Sequence, residues 1–427
     1  MKVLQIEERE VYVMEQLSKI KVGFVGLGQC GSNIAEIAEL YGYRTAVCNT
    51  SPEDLDAIQL IKNKVLLGSN GGAGKDRKMA KNDAKLNYDK VVDLVKHKFE
   101  GIDMIYFVFS TGGGTGSGMS PMMIDVVRQL VPDKKFGCIA VLPTKTESLV
   151  AQINTVNCLR EIVKLEIPSF IADNDKLYAK GKPKSRKELF DRMNNYIIDS
   201  FNLILNTQRT PSKYGNLDQQ DIIRLLSTPG ATVITTSNIS AAERKEEGYS
   251  FGKKIMSSWD HSYFAPLEYD HKITRMGYIY EINEATTKLV DYDVIKQEIG
   301  NPLEIFEGYY TPEADGTEVV ISILTGLSYP IRRIEEIKQL VLQGKTIAED
   351  EQDYDAVFDG FDTSWFDQAR DKKTMKTLQD EEDDLEEYDE FEEVSDAADP
   401  TAPVTVRKKK PTPKKAFDIA DIFAKYE

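Results

Sequence analysis

The chain has 427 residues, a formal net charge of −16 and a hydrophobic content of 41%. Its length allows two domains with sizeable cores, and its negative charge excludes a protein that binds nucleic acid over most of its surface. Four isolated cysteines and three histidines argue against a disulfide framework and against a zinc site. Because no apolar run approaches the roughly 20 residues that span a bilayer, we expect a cytoplasmic protein without membrane contacts.

Apolar strands and amphipathic helices alternate along the first half of the chain, after a predicted leading helix within residues 2–20. Strands that alternate with helices predict a parallel α/β sheet, with a ligand at the carboxyl ends of the strands. The predicted strands are 21–25, 45–48, 65–67, 103–109, 136–143 and 168–172, and the predicted helices are 34–40, 81–99, 121–130 and 148–165.

A glycine-dense string, Ser110–Gly118, lies between an apolar strand and a helix. Glycines let the backbone approach a phosphate closely, and the free N–H groups at a helix start point towards it. Thr111, Thr115 and Ser117 add hydroxyl donors. A flexible linker is the alternative, but linkers are not usually placed between a buried strand and a helix. The string therefore predicts a phosphate site.

Two further glycine-rich segments are less specific. Gly26–Gly31 is a literal Gly-x-Gly-x-x-Gly, which is typical of dinucleotide-binding sites. Such a site needs an acidic residue at the end of the second strand, where this chain has Asn49. The third segment, Gly68–Arg77, contains two cations, and local sequence leaves open whether it closes over phosphates or is a solvated connector.

The second half of the chain begins with a long helix, predicted at 186–209, whose apolar residues lie mostly on one face. The pattern then predicts a second, smaller α/β domain with strands at 232–235, 276–281 and 318–324. The predicted domains are 1–185 with the ligand site, 186–209 as central helix, 210–345 as second domain, 346–395 as acidic helix and 396–427 as flexible tail.

The end of the chain separates opposite charges. Asp380–Glu393 has eleven acids in fourteen residues, with apolar residues spaced for a thin helical seam, although a solvated, frayed segment fits equally well. Arg407–Lys415 then carries six cations, and 416–426 is an amphipathic peptide. A tethered amphipathic peptide usually docks on a partner.

The string Gly-Gly-Gly-Thr-Gly-Ser-Gly at 112–118 resembles the signature of the tubulin/FtsZ GTPase family. The order of the other loops agrees with that family over residues 21–221. The resembling loops are Gly26–Asn33, Asn49–Ser51, Gly71–Gly74, Thr144–Glu147, Asp173–Leu177 and Asn216–Asp221. The resemblance implies a tubulin/FtsZ-like fold: a Rossmann-type parallel-sheet GTPase domain, a long central helix, a second smaller α/β domain, a C-terminal helix and a disordered tail.

The resemblance also implies bound GTP or GDP with Mg²⁺, and hydrolysis at the contact between subunits of a head-to-tail filament. Asn216, Asp218 and Asp221 would act on the nucleotide of the neighbouring subunit, although helix capping is an alternative role for the two acids. The implied nucleotide-binding residues are Gly28, Gln29, Cys30, Asn33, Asn49, Gly72, Ala73, Gly74, Thr111, Gly112, Gly113, Gly114, Thr115, Gly116, Ser117, Glu147, Asn174, Asn194 and Asn195.

Two positions depart from the family pattern. Leu149–Gln152 stands where FtsZ-type chains carry an arginine, and Asn194 and Asn195 share the guanine-contacting position, so the sequence leaves open which one reads the base. The acidic segment and basic tail are similar to the TubZ branch, the plasmid and phage tubulins of Bacillus-type bacteria. That similarity implies DNA segregation through a DNA-binding adaptor of the TubR type. The alternatives are an FtsZ-like division protein, an NAD-dependent enzyme using Gly26–Gly31 and a scaffold that binds nucleotide only structurally.

Overall fold

The computed structural model describes residues 20–68, 71–205, 209, 212–264, 273–312, 317–348 and 419–426. The strands in these ranges are β1 Val22–Leu27, β2 Arg44–Asn49, β3 Lys64–Leu66, β4 Met104–Ser110, β5 Lys135–Leu142, β6 Pro168–Asp173, β7 Gly230–Ile239, β8 Arg275–Glu281, β9 Glu304–Tyr310 and β10 Glu318–Leu327. They form one sheet in the order β3-β2-β1-β4-β5-β6-β7-β10-β8-β9.

Helices occur in both halves of the described chain. They are α1 Gly28–Leu40, α2 Pro52–Ala57, α3 Arg77–Lys98, α4 Thr115–Leu130, α5 Leu149–Val163, α6 Asn174–Gly181, α7 Arg186–Leu205, α8 Gln219–Ser227, α9 Phe251–Trp259, α10 Glu284–Thr287, α11 Tyr292–Ile299, α12 Ile331–Ala348 and α13 Ile419–Ala424, with a 3₁₀ turn at Glu243–Lys245. None of the helices in the described ranges is long and apolar enough to cross a membrane.

The first six strands are parallel, which confirms the predicted α/β class. Their order, 3-2-1-4-5-6, places β1 between β2 and β4, so the winding of the chain reverses between β1 and β4. In open α/β sheets a ligand binds at the carboxyl ends of the strands beside such a reversal. The loops that follow β1 and β4 therefore mark the ligand crevice.

The sheet continues into the second half of the chain. Pro168 and Ser169 of β6 pair in parallel with Gly230 and Ala231 of β7, and β10 then pairs antiparallel with both β7 and β8. The strand β9, which the sequence analysis missed, lies parallel to β8 at the edge, where half-buried residues mask the strand pattern. The predicted domain boundaries stay a prediction.

The structure divides into two compact units, Met1–Phe361 and Asp362–Glu427. In the second unit the described residues form the short helix α13 and the two residues after it. The predicted leading helix, the acidic segment 380–393 and the basic cluster 407–415 lie outside the described residues.

The helix α7 crosses the first unit and is anchored by an aromatic cluster. Phe201 packs against Phe24, Tyr106 and Phe170 of three different strands, with ring centroids 5.3, 5.0 and 4.9 Å away. At about 1.5 Å per residue, its 20 residues span about 30 Å. Arg186 at its start lies 3.3 Å from Glu147, which follows β5, and Asn202 near its end accepts from the hydroxyl of Tyr43, which precedes β2. α7 therefore connects the crevice end of the parallel sheet with the opposite end.

The helix after the glycine string begins at Thr115, earlier than the predicted start at Pro121, because the glycine turn itself becomes the first helical turn. Pro121 has no N–H to donate to the Ser117 carbonyl one turn earlier. Arg77 supplies the missing donors, with Nε 3.3 Å and a terminal nitrogen 2.9 Å from that oxygen. The proline is therefore tolerated inside α4.

Candidate functional site

Two helix N-termini meet at the crevice. Gly28, the first residue of α1, has φ +72°, and a Cβ built on it would lie 3.1 Å from the amide nitrogen of Gly116 in α4. Neither helix has a side-chain cap or an acidic residue in its first turn. Their free N–H groups and positive dipole ends form a cradle that fits an anion such as a phosphate chain.

Hydroxyl groups brace this cradle from within. Thr111 is fully buried and donates its amide to the Val141 carbonyl at 2.9 Å, while its hydroxyl lies 3.0 Å from the Thr155 hydroxyl. Ser117 donates its hydroxyl to the Gly113 carbonyl. The Thr115 hydroxyl lies 2.7 Å from that of Thr50. Their predicted contact with phosphate stays a prediction.

The third glycine loop packs directly on the cradle. A Cβ on Gly114 would lie 2.8 Å from the backbone of Lys75, so only glycine allows this contact. Asn154 of α5 holds the two loops together, since its Nδ2 donates to the Lys75 carbonyl at 3.0 Å and to the Gly113 carbonyl at 3.1 Å. Gly72 and Gly74 have positive φ, and Ala73 is buried. The arrangement favours a loop that closes over the ligand rather than a solvated connector.

Arg77, the second cation of that loop, is already engaged. Besides the Ser117 carbonyl it contacts Glu161, whose carboxylate lies 2.5 Å from Arg77 and 2.7 Å from Lys81. All three side chains are largely shielded from solvent. Arg77 therefore stabilises the packing of α3 on α4 and α5.

Three asparagines are the candidate base-binding residues. Asn174 begins α6, is buried, and its Oδ1 has no hydrogen-bond partner among the described residues. Asn194 is 8% exposed and makes no side-chain hydrogen bond within the described ranges. Asn195 is exposed and donates to the carbonyl of Asp191 at 2.7 Å. The buried Asn174 and Asn194 thus keep polar groups available for a ligand.

The predicted nucleotide-binding residues of the first two loops differ in exposure and in their local contacts. Gln29 and Asn33 are exposed on α1, whereas Cys30 is half-buried, and its burial, with Glu147 nearby, raises the pKa of its thiol to about 12. Asn49 is buried and bonded locally: its Oδ1 accepts the amide of Thr50 at 2.8 Å. The structure therefore uses Asn49 to shape the second loop.

A cleft lies beside these residues at the start of α7. Glu147 forms part of its wall, accepting the amide of Thr144 at 3.2 Å and facing a guanidinium nitrogen of Arg186 at 3.3 Å. The lining residues are Thr144, Thr146, Glu147, Tyr178, Ser185, Arg186 and Leu189.

A buried ion pair supports the loops that follow β5 and β6. Arg333 of α12 lies 3.2 Å from the Asp173 carboxylate and donates to the Pro143 carbonyl at 2.8 Å. Burial raises the pKa of Asp173, and the guanidinium of Arg333 opposes that rise. No local pattern in the sequence singles out Arg333 or Asn154, because each acts through partners that are distant along the chain.

The predicted catalytic residues lie at the other end of the sheet. Asp218 caps α8, accepting the amide of Asp221 at 2.9 Å, and Asp221 accepts the amide of Asp218 at 3.0 Å. Asn216 bonds to both backbone polar groups of Ser212. Leu217, next to Asp218, donates its amide to the Tyr310 hydroxyl at 3.0 Å, and Arg209 lies over the Tyr310 ring and donates to the Leu203 carbonyl near the end of α7. The adjacent Asn202 accepts from the hydroxyl of Tyr43, which directly precedes the amino end of β2. The capping role is therefore real, and one chain does not bring these acids to the cradle.

The comparisons with known proteins agree with this geometry. Residues 21–182 match the Tubulin/FtsZ family, GTPase domain. The chain is 28% identical over 298 residues to the tubulin-like protein TubZ of Clostridium botulinum C phage, which covers 68% of this chain and 76% of that relative.

Solved structures confirm the fold. The C-terminally truncated TubZ of Clostridium botulinum phage c-st is 24% identical with a TM-score of 0.61, over 76% of this chain and 98% of that one. A GTPγS-form protofilament of Bacillus thuringiensis serovar israelensis TubZ is 19% identical with a TM-score of 0.67, over 82% and 99% of the two chains. Residues 21–182 therefore match a GTPase domain of the tubulin/FtsZ family, in a chain that is similar to TubZ proteins.

Proposed function

We propose that this protein binds GTP in the crevice, assembles head to tail into filaments, and hydrolyses GTP at the contact between subunits. The observation that carries the proposal is the separation of two half-sites. The cradle of Gly28 and Gly112–Ser117 follows the carboxyl ends of β1 and β4. Asp218 and Asp221 instead lie near the end of α7, which packs beside the amino end of β2. A head-to-tail neighbour would bring the second half-site to the first, and such a contact does not close into a ring.

The chemistry of the two half-sites is complementary. The cradle N–H groups would neutralise charge on the phosphates, and a carboxylate of Asp218 or Asp221 would orient the attacking water. Each acid uses one oxygen in the capping box, which leaves its other oxygen for water. The described ranges contain no group of three or more acidic, histidine or cysteine side chains placed to hold a metal. Mg²⁺ would then be held chiefly by the phosphates and water.

For the base, we propose Asn174 and Asn194 as the hydrogen-bonding residues, with Asn33 at the rim. Guanine offers donors and acceptors on one edge, and an amide side chain can pair with both kinds of group. Among the residues that the structure describes, the Oδ1 of Asn174 has no hydrogen-bond partner and the buried Asn194 side chain makes no hydrogen bond, which supports this choice. Asn195 points its amide at its own helix, so it is the weaker candidate.

We further propose that the filament moves plasmid or phage DNA through a DNA-bound adaptor of the TubR type, which would bind the basic tail. The support is the similarity to the phage TubZ and the cationic cluster Arg407–Lys415 in an otherwise acidic chain. We place the protein in the cytoplasm, where such a filament would meet its cargo.

The double substitution Asp218→Asn/Asp221→Asn tests hydrolysis at the subunit contact. Asparagine caps a helix as well as aspartate does, so α8 should stay intact while both carboxylates are lost. We expect phosphate release to fall about 100-fold or more, while GTP-dependent sedimentation and filaments in electron micrographs persist. Asp291→Asn, which alters the cap of α11, is the matched control. Phosphate release at the wild-type rate in filaments of the double variant would contradict the proposal.

Mixing two inactive variants tests whether the half-sites come from different subunits. Gly114→Val would push a side chain into the Lys75 backbone and disable the cradle while leaving Asp218 and Asp221 intact. In mixed filaments the intact cradle of one variant meets the intact acids of the other, so hydrolysis should reappear. A pellet that contains both variants and releases no phosphate would argue against completion in trans.

A further inference from the structure

Lys75 adopts a backbone conformation that its side chain disfavours. Its φ is +69°, in the left-handed region where glycine is the usual residue, and it follows Gly74 at φ +52°. A non-glycine residue is held there only when the surrounding structure demands it, and such residues concentrate at ligand sites. The contact with Gly114 and the bond from Asn154 to its carbonyl fix the Lys75 backbone on the cradle.

The ammonium group of Lys75 lies beside a second helix N-terminus. Its Nζ is 2.7 Å from the hydroxyl of Ser148, the residue that precedes α5. Ser148 makes no side-chain cap, and the first turn of α5 has no acidic residue. A positive charge at the positive end of a helix dipole is electrostatically unfavourable unless an anion is shared between them.

Lys75 also has no carboxylate partner among the residues that the structure describes. Arg77, two residues later, differs in this respect because Glu161 neutralises it. The ammonium of Lys75, the start of α4 and the start of α5 therefore gather positive charge around Gly112–Gly114. An anion with several negative charges would satisfy all three at once.

We propose that Lys75 is a phosphate-binding residue, whose ammonium holds the phosphate chain of the nucleotide from the third loop. This inference rests on the proposed binding of GTP in the crevice. The ammonium would move from the Ser148 hydroxyl to a phosphate oxygen, a short step for a flexible four-carbon side chain. Its charge would then strengthen the bonds that the uncharged cradle amides make.

Binding measurements on the full chain, below the concentration at which it assembles, test the proposal. Lys75→Met keeps the length of the side chain but removes its charge, and Lys75→Arg keeps the charge. We expect Lys75→Met to raise the Kd for GTP about tenfold or more, with the Kd for guanosine, which lacks phosphates, unchanged. Lys75→Arg should restore most of the GTP affinity. Lys78→Met, which removes an exposed cation three residues away, is the matched control.

The dependence of the Kd for GTP on ionic strength gives a second readout, which would not change if Lys75 had only a structural role. The Kd of Lys75→Met for GTP should rise less steeply with salt than that of the wild type, because one ion pair is lost. Wild-type GTP affinity in Lys75→Met, or an equal loss of GTP and guanosine binding, would overturn the role of Lys75 alone. Failure of the wild-type chain to bind GTP would overturn the proposed function together with it.

Discussion

Arg333 shows how a single buried residue supports the candidate site from a distance. Its side chain is 2% exposed and joins the ends of β5 and β6 through Pro143 and Asp173. Asp173 in turn accepts the amide of Asp175 and so begins α6, whose first residue is Asn174. The loops after β5 and β6, which we propose to contact the guanine base, are thus held in place by α12, although Arg333 lies 160 residues after Asp173 in the chain.

Removing this guanidinium should be costly, because it leaves a buried carboxylate without its cation. We expect Arg333→Met to lower the free energy of unfolding by about 3–5 kcal/mol, measured by urea denaturation. Without the arginine the pKa of folded Asp173, already raised by burial, rises further. The folded state then binds more protons than the unfolded state, so the loss should be smaller at pH 5 than at pH 7.5.

The double variant Asp173→Asn/Arg333→Met is the control, since asparagine keeps the cap of α6 without burying a charge. We expect it to recover most of the lost stability. Equal destabilisation of the single and double variants, with no pH dependence, would show that Arg333 acts through packing instead of charge.

At the scale of elements, α5 supports the third loop and the glycine turn after β4. Its Asn154 reaches the third loop and the glycine turn together, and its neighbour Ala151 packs against Gly112, where a Cβ would lie 3.1 Å from that of Ala151. Four residues further, Thr155 contacts Thr111. One buried face of α5 therefore sets the positions of two loops that are about 40 residues apart in sequence.

Asn154→Ala should disturb this arrangement more than an equivalent change elsewhere on α5. The carbonyls of Lys75 and Gly113 would lose their donor, so we expect a stability loss of about 1–3 kcal/mol and weaker GTP binding. Asn157→Ala, one turn later and half-buried, is the matched control and should change little. Calorimetric titration with GTP and urea denaturation measure the two effects. Unchanged GTP affinity in Asn154→Ala would show that the loops hold their positions without this bridge.

At the scale of the whole molecule, charge is distributed unevenly along the chain. The net charge of −16 includes the six cations of Arg407–Lys415, so the rest of the chain is more negative still. A strongly negative body repels DNA, while a short cationic cluster attracts phosphates weakly and in a salt-dependent way. An adaptor that binds DNA itself would overcome this repulsion.

We therefore expect the full chain alone to give no electrophoretic shift of the DNA that the adaptor binds, at physiological salt. When the adaptor is present, the chain should retard the adaptor–DNA complex beyond the shift that the adaptor alone produces. Replacing the six tail cations by glutamine should abolish the additional shift. The matched control is Lys182→Gln/Lys184→Gln/Lys187→Gln, which removes exposed cations from the body. A shift by the protein alone that the tail substitution removes would instead indicate direct DNA binding.

The sequence by itself determined the parallel α/β class, the glycine turn after β4 and the similarity to the tubulin/FtsZ family, because apolar strands and glycine turns are local patterns. It also located Asp218 and Asp221, but left capping and catalysis open. Only the tertiary structure showed that both acids cap α8 at the far end of the sheet, that Pro121 is accommodated by Arg77, and that Asn194 is buried while Asn195 is exposed. Only it distinguished the neutralised Arg77 from the unpaired Lys75 among the described residues. These outcomes depend on contacts between residues far apart in the chain, which no local pattern encodes.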